Sequence, residues 1–172
     1  MVKTRQIAVI GLLVSIGLFL HLIEAMLPLK LIIPGAKLGL ANIVILMGLV
    51  LFGFRGGGLI LLLRILLTSI LAGTLLTINF YLSLAGGVLS FGVMYFLYTY
   101  WRDRFSLVGI SVAGAVSHNL GQLVTSYLII DNPGIFYYWP YLVLLAIPTG
   151  ISVGLVSYFS LSYLPTELSK GG

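Results

Sequence analysis

Long apolar runs, broken at short intervals by charged or turn-forming residues, organise the chain. Ile7 to Leu20 is uninterrupted, and the run continues past His21 and Glu24 to Leu27. A second run covers Leu38 to Phe54, and Arg55 with Gly56-Gly57-Gly58 predicts a tight turn after it. A third runs from Leu59 to Leu76, interrupted by Arg64, and Thr77 to Asn79 leads into a fourth from Phe80 to Tyr100. Trp101-Arg102-Asp103-Arg104 closes that run, and a fifth follows from Ser106 to Ile130. Asp131-Asn132-Pro133-Gly134 is a turn signal, and a sixth run then extends to about Tyr163, with Pro148 expected to kink it. Most of these runs approach the ~20 apolar residues that a membrane-crossing helix needs. They predict an all-α, polytopic membrane protein. Its six transmembrane helices fall near 7–27, 38–54, 59–76, 80–100, 106–130 and 138–163, in a single domain 1–172.

Composition strengthens this reading. Of 172 residues, 60% are hydrophobic and 8% charged, and the mean hydropathy is +1.17. A soluble domain carries about a quarter charged residues. Uncharged runs of this length point to helices rather than a β-barrel. The basic lead with Lys3 and Arg5 could open a cleaved signal peptide, but no small-x-small site follows, so the first run is expected to stay as a span. With no cysteine, no disulfide framework or thiolate chemistry is expected.

The net charge of +5 is not a nucleic-acid signal, because the basic residues sit at the ends of apolar runs. With six spans both termini share a side. If that side is cytoplasmic, the inner segments hold Lys3, Arg5, Arg55, Arg102, Arg104 and Lys170, and the outer loops only Lys30 and Lys37. That asymmetry favours both ends inside and a multi-pass protein of a prokaryotic cell membrane. No internal repeat is evident, so an inverted-repeat carrier built from this chain alone is not expected, although a homodimer could supply symmetry.

The stretch Pro34-Gly35-Ala36-Lys37-Leu38-Gly39-Leu40-Ala41-Asn42 draws attention because it spends a charge and an amide between two apolar runs. Placed in depth, His21, Glu24, Lys37, Asn42, Asn79, Asn119 and Gln122 fall in the outer half, with His118 near the middle and Arg64 closer to the inner half. Unpaired, each would cost several kcal/mol in lipid, as a rough figure. Singly, each reads as interhelical glue worth about 0.6 kcal/mol. As a set concentrated at one depth, they predict a substrate pocket open to the outside.

Ala8, Gly11 and Ser15 form a stripe of small residues on the first helix, and Ser15 lies about 180° from Glu24. The stripe either packs on a helix of the same chain or docks on a separate membrane subunit. Gly150 with Gly154, and Ala113 with Ser117 and Gly121, read as packing within the chain. Tyr137, Tyr138, Trp139 and Tyr141 read as an interfacial belt, or as rings stacking over the pocket.

Several chemistries lack their residues. The glycine triplet has no following Lys-Ser/Thr, so no nucleotide hydrolysis is expected. Asp103 and Asp131 fall on opposite sides of the membrane, so a carboxylate cluster for magnesium-diphosphate chemistry is not available. Two histidines and Glu24 make no convincing metal site, and no nucleophile has an adjacent base. No catalytic residue, cofactor or metal is expected, and the chain does not read as an enzyme.

The strings Pro34-x-x-Lys37-Leu38-Gly39-Leu40-Ala41-Asn42, Asn79-Phe80, Ala85-Gly86-Gly87-x-x-Ser90 and His118-Asn119-Leu120-Gly121-Gln122 resemble a family of small membrane proteins. That family is labelled heptaprenyl diphosphate synthase component I, or Gx transporter. It is in turn similar to the substrate-binding S components of energy-coupling factor (ECF) importers. The resemblance implies six helices with both ends inside and a vitamin-like ligand held at the outer face. It also implies docking through helix 1 on a transmembrane coupling subunit driven by two ATPases. The S-component docking motif has alanines four apart, whereas here Gly11-x-x-x-Ser15 follows Ala8. The synthase label conflicts with the missing aspartate-rich motifs, although it hints at an isoprenoid, quinone or other cofactor precursor as ligand. An accessory membrane subunit of prenyl diphosphate synthesis is the alternative.

Overall fold

The computed structural model describes residues 4–26 and 39–164, and all its regular structure is helical. Five helices carry the chain: α1 (Thr4–Met26), α2 (Asn42–Leu71), α3 (Ile78–Tyr100), α4 (Leu107–Ile130) and α5 (Trp139–Ser162), with a short 3-10 helix, Pro133–Tyr138, leading into α5. By length and composition alone all five are long and apolar enough to cross a membrane, the fifth counted together with that 3-10 turn.

The second and third expected spans form one helical element, α2, and it is not straight. Gly53 breaks it with φ 64° and ψ −158°, a backbone state open essentially to glycine alone. Beyond this point the chain doubles back. A methyl group built on Gly57 would lie 3.1 Å from the Leu49 backbone nitrogen. In a straight helix these residues would be about 12 Å apart. Val44 and Arg64 likewise both lie against Gly17 of α1, although a straight helix would separate them by about 30 Å. The arms 42–52 and 54–71 therefore lie side by side. The tight turn expected at Gly56-Gly57-Gly58 is displaced to Gly53, and the triplet is helical. Gly57 is instead needed small, because Leu49 and the Phe91 ring of α3 close on it.

The remaining contacts are antiparallel. Gly57 meets Phe91 and Gly87 meets Leu61 and Ile65, so α3 runs against the second arm. Gly86 meets His118 and Gln122 while Gly114 meets Met94, so α4 runs against α3. Gly150 lies on Val112 and Gly154 on Val108, which sets α5 against α4. These close approaches, with that of Gly121 to the Ala85 and Gly86 backbone, agree with the packing roles expected of Gly121, Gly150 and Gly154. In the same register, Arg55, Arg102 and Arg104 share the end of the bundle where α1 begins, and all three are exposed. Val44, Leu46, Leu49, Ile60, Met94 and Ile110, each at 1% exposure or less, form the centre of the core. Many large apolar side chains on the outer faces are exposed, as a lipid-facing surface requires.

Pro148 lies inside α5. Its missing N–H leaves a carbonyl one turn earlier without its helical donor. The neighbouring Thr149 Oγ1 donates to Leu145 O at 3.0 Å and to Ala146 O at 3.1 Å.

Candidate functional site

A polar cavity forms where the end of α1 meets the start of α2. Among the described residues it is lined by His21 and Glu24 of α1, Gly39 before α2, Asn42 and Arg64 on the two arms of α2, Ser83 of α3 and His118 of α4. The fold-back at Gly53 creates this meeting: Asn42 and Arg64 are 22 positions apart in one helical element, yet line one space. The space open to the centre of a water molecule is about 20 Å³. That admits one or two waters or a head group of similar size.

The local sequence explains the construction. Gly39 adopts φ 71°, the left-handed state that favours glycine. Its N–H donates to Glu24 Oε1 at 2.8 Å. Its carbonyl accepts the Asn42 N–H at 2.8 Å, which begins α2. Glu24 is 8% exposed, Asn42 6% and Arg64 6%. Glu24 lies close enough to Arg64 for its charge to act on the guanidinium. Arg64 Nε and Nη2 are buried with no hydrogen-bond partner. Among the described residues, no group of three or more His, Cys, Asp or Glu side chains is placed to hold a metal ion.

The residues expected to form a pocket separate into groups. His21, Glu24, Asn42 and His118 come together in the cavity. Lys37 lies outside the described residues. Asn79 does not line the cavity and is exposed at the start of α3. Asn119 is buried, but its Nδ2 donates to Leu142 O of α5 at 3.0 Å, so it joins two helices and is not among the lining residues. Gln122 packs over Gly86 beside His118 and is not a lining residue, although its buried Nε2 has no partner. Tyr137, Tyr138 and Tyr141 are exposed, and none of the aromatic cluster lines the cavity.

Arg64 is the main member that sequence reasoning set apart. It was expected nearer the inner half, yet it completes the cavity beside Glu24. The signal was available: an intramembrane arginine needs a carboxylate or carbonyl partner, and the apolar spans contain one glutamate, Glu24. Ser83 carried no such signal.

The stripe on α1 lies elsewhere. Ala8, Gly11 and Ser15 are all exposed, and a methyl built on Gly11 meets nothing within 4 Å. Ser15 Oγ donates to Gly11 O at 2.9 Å, so its hydroxyl is satisfied within α1.

The fold and cavity define a class: a helical, membrane-type protein with a small polar site near one end of the bundle. Within that class, the chain belongs to the heptaprenyl diphosphate synthase component I family, whose model matches residues 13–160. Neither a curated protein nor a solved structure matches it.

Proposed function

We propose that this protein is the substrate-capturing membrane subunit, the S component, of an ECF-type importer. It would take a small vitamin-, cofactor-precursor- or isoprenoid/quinone-like molecule from the outer face and would not itself be an enzyme. One observation carries the reading. Polar side chains from four helices converge on one cavity, while the small-residue face of α1 is left exposed. Ala8, Gly11 and Ser15 would dock on a transmembrane coupling subunit served by two ATPases. Lys37, Asn42, Glu24, His21 and His118 would bind the substrate.

Counting the two arms of α2 separately would give six segments with both ends of the chain on one side, although the first arm, 42–52, reaches only about 16 Å, roughly half of a hydrocarbon core. The antiparallel register supports this, since Arg55, Arg102 and Arg104 share one end of the bundle. By the distribution of basic residues that end would be cytoplasmic, in a prokaryotic cell membrane.

Purification from the native membrane tests the reading. A transmembrane protein and two ATPases are expected to accompany the tagged chain, with a retained small molecule detectable by mass spectrometry. The family description suggests a second reading, an accessory subunit of prenyl diphosphate synthesis. Co-purification with a soluble prenyl synthase, or elongation of an allylic diphosphate by the purified chain, would replace the importer reading.

A further inference from the structure

We propose that the turn joining α3 to α4, with the reversal of α2 beside it, seats the phosphodiester head group of an anionic phospholipid. The inference goes beyond the importer reading and does not depend on it. It rests on this end of the bundle, opposite the cavity, meeting a membrane surface.

Aromatic contacts fix where the charges lie. Phe54 follows the reversal at Gly53 and precedes Arg55. Its ring centroid lies 4.9 Å from that of Tyr95 and 5.4 Å from that of Phe91, which pins the reversal on the last turns of α3. Arg102 Cζ lies 4.9 Å from the Tyr98 ring centroid. Tyr95 and Tyr98 are three positions apart, so on one face of α3. Arg55 and Arg102 are thus tethered to neighbouring points of one helix face.

The turn is also closed on itself. The Arg104 and Phe105 N–H groups donate to Trp101 O at 3.0 Å and 3.1 Å. The Trp101 and Phe105 rings stack, with centroids 6.1 Å apart and planes 8° from parallel. The segment that presents Arg102 and Arg104 is therefore held before any ligand arrives, which lowers the ordering cost of binding. Arg55, Arg102 and Arg104 are all exposed. A guanidinium resting on a ring keeps N–H donors for a phosphate oxygen.

Charge and rings together select the partner. By sequence, the segments that belong to this end carry Lys3, Arg5, Arg55, Arg102, Arg104 and Lys170 against Asp103 and Glu167. The residues of that set outside the described ones, Lys3, Glu167 and Lys170, leave the balance positive. Phe54, Trp101 and Phe105 are exposed among these cations. An acidic protein segment in water would satisfy the arginines but leave the rings wetted. A bilayer boundary takes both: rings settle at the head-group level and cations reach the phosphates.

The test is thermal unfolding of the full chain in neutral detergent, titrated with phosphatidylglycerol or phosphatidylcholine. Parallel arms contain sodium phosphate or a poly-glutamate peptide. Phosphatidylglycerol is expected to raise Tm saturably, and more than phosphatidylcholine, with the difference shrinking as sodium chloride is added. Arg55→Gln, Arg102→Gln and Arg104→Gln together should raise the phosphatidylglycerol midpoint several-fold while leaving Tm in phosphatidylcholine near the parent's. Equal responses to the two lipids, or an unchanged midpoint in the triple variant, would overturn the proposal. So would a sodium phosphate response matching that of phosphatidylglycerol, or stabilisation by poly-glutamate at lower concentration than the lipid. If the triple variant does not fold, Arg104→Gln alone decides, with a weaker phosphatidylglycerol response expected and an unchanged one fatal. A coupling module that co-purifies without a lipid preference sinks only the head-group seat; a lipid preference without a module sinks only the importer.

Discussion

Glu24 and Gly39, 15 positions apart, are joined by a 2.8 Å hydrogen bond from the glycine N–H to the carboxylate Oε1. The bond ties the end of α1 to the turn that begins α2, and both residues line the cavity. Glu24→Ala would leave the Gly39 donor unsatisfied, a cost of about 1–3 kcal/mol. For a chain of this length that corresponds to a Tm loss of roughly 2–4 °C per kcal/mol. Gly39→Ala adds the left-handed strain of about 1–2 kcal/mol and sets a methyl 3.0 Å from Asn42 Nδ2. Thermal unfolding in detergent should show both losses, and a Tm unchanged in both variants would refute the role given to this bond.

Gly53 is the second point of leverage. Its φ of 64° and ψ of −158° are required for the arms of α2 to lie together. Gly53→Ala has open space for its methyl, so any loss is conformational rather than steric. The expected cost is about 1–3 kcal/mol. Gly58→Ala, inside the helix and with only the Phe91 ring at 3.7 Å, should be nearly neutral. Equal stability of the two variants would contradict a reversal located at Gly53.

The same reversal explains what the sequence revealed and what it hid. Hydropathy suffices to find the helices, because an apolar run of membrane length has few alternatives. It does not place a turn among Gly53, Gly56, Gly57 and Gly58, since positive φ and close approach both select glycine. Starting the second arm at 54 instead of 59 moves Arg64 about 7.5 Å further from the turn, which carries it from the inner half to the cavity. Asn119 and Asn42 show a further limit. Both are buried amides near helix positions that suit a pocket. Only the fold decides that one meets a carbonyl of α5 and the other an open space.

That difference can be measured. Asn119→Leu removes the bond to Leu142 O, and interhelical bonds of this kind average about 0.6 kcal/mol with a maximum near ~1.7. A modest fall in Tm is expected, with ligand retention unchanged. Asn42→Ala should do the opposite, reducing retention of the bound small molecule in native mass spectrometry more than it lowers Tm. Loss of retention in Asn119→Leu alone would move the site towards α5.

Two glycines in contrasting surroundings separate folding from association. Gly121 of α4 faces α3 so closely that a methyl there would lie 2.9 Å from Ala85 O and 3.0 Å from Gly86 Cα. These are backbone atoms, which cannot move aside without shifting the helix. Gly121→Leu should therefore separate α3 from α4 and lower stability by the amount typical of overpacking, about 1–3 kcal/mol or more, read as a fall in Tm. Gly11 of α1 has nothing within 4 Å. Gly11→Leu should leave stability within about 0.5 kcal/mol of the parent, and Tm nearly unchanged, because a Cβ there has no described neighbour within 4 Å. If the face of Ala8, Gly11 and Ser15 lies against a coupling subunit, the same change blocks close helix approach. The transmembrane partner and the ATPases should then be lost from the purified complex. A Gly11→Leu variant that keeps both its Tm and its partners would show that docking uses another surface.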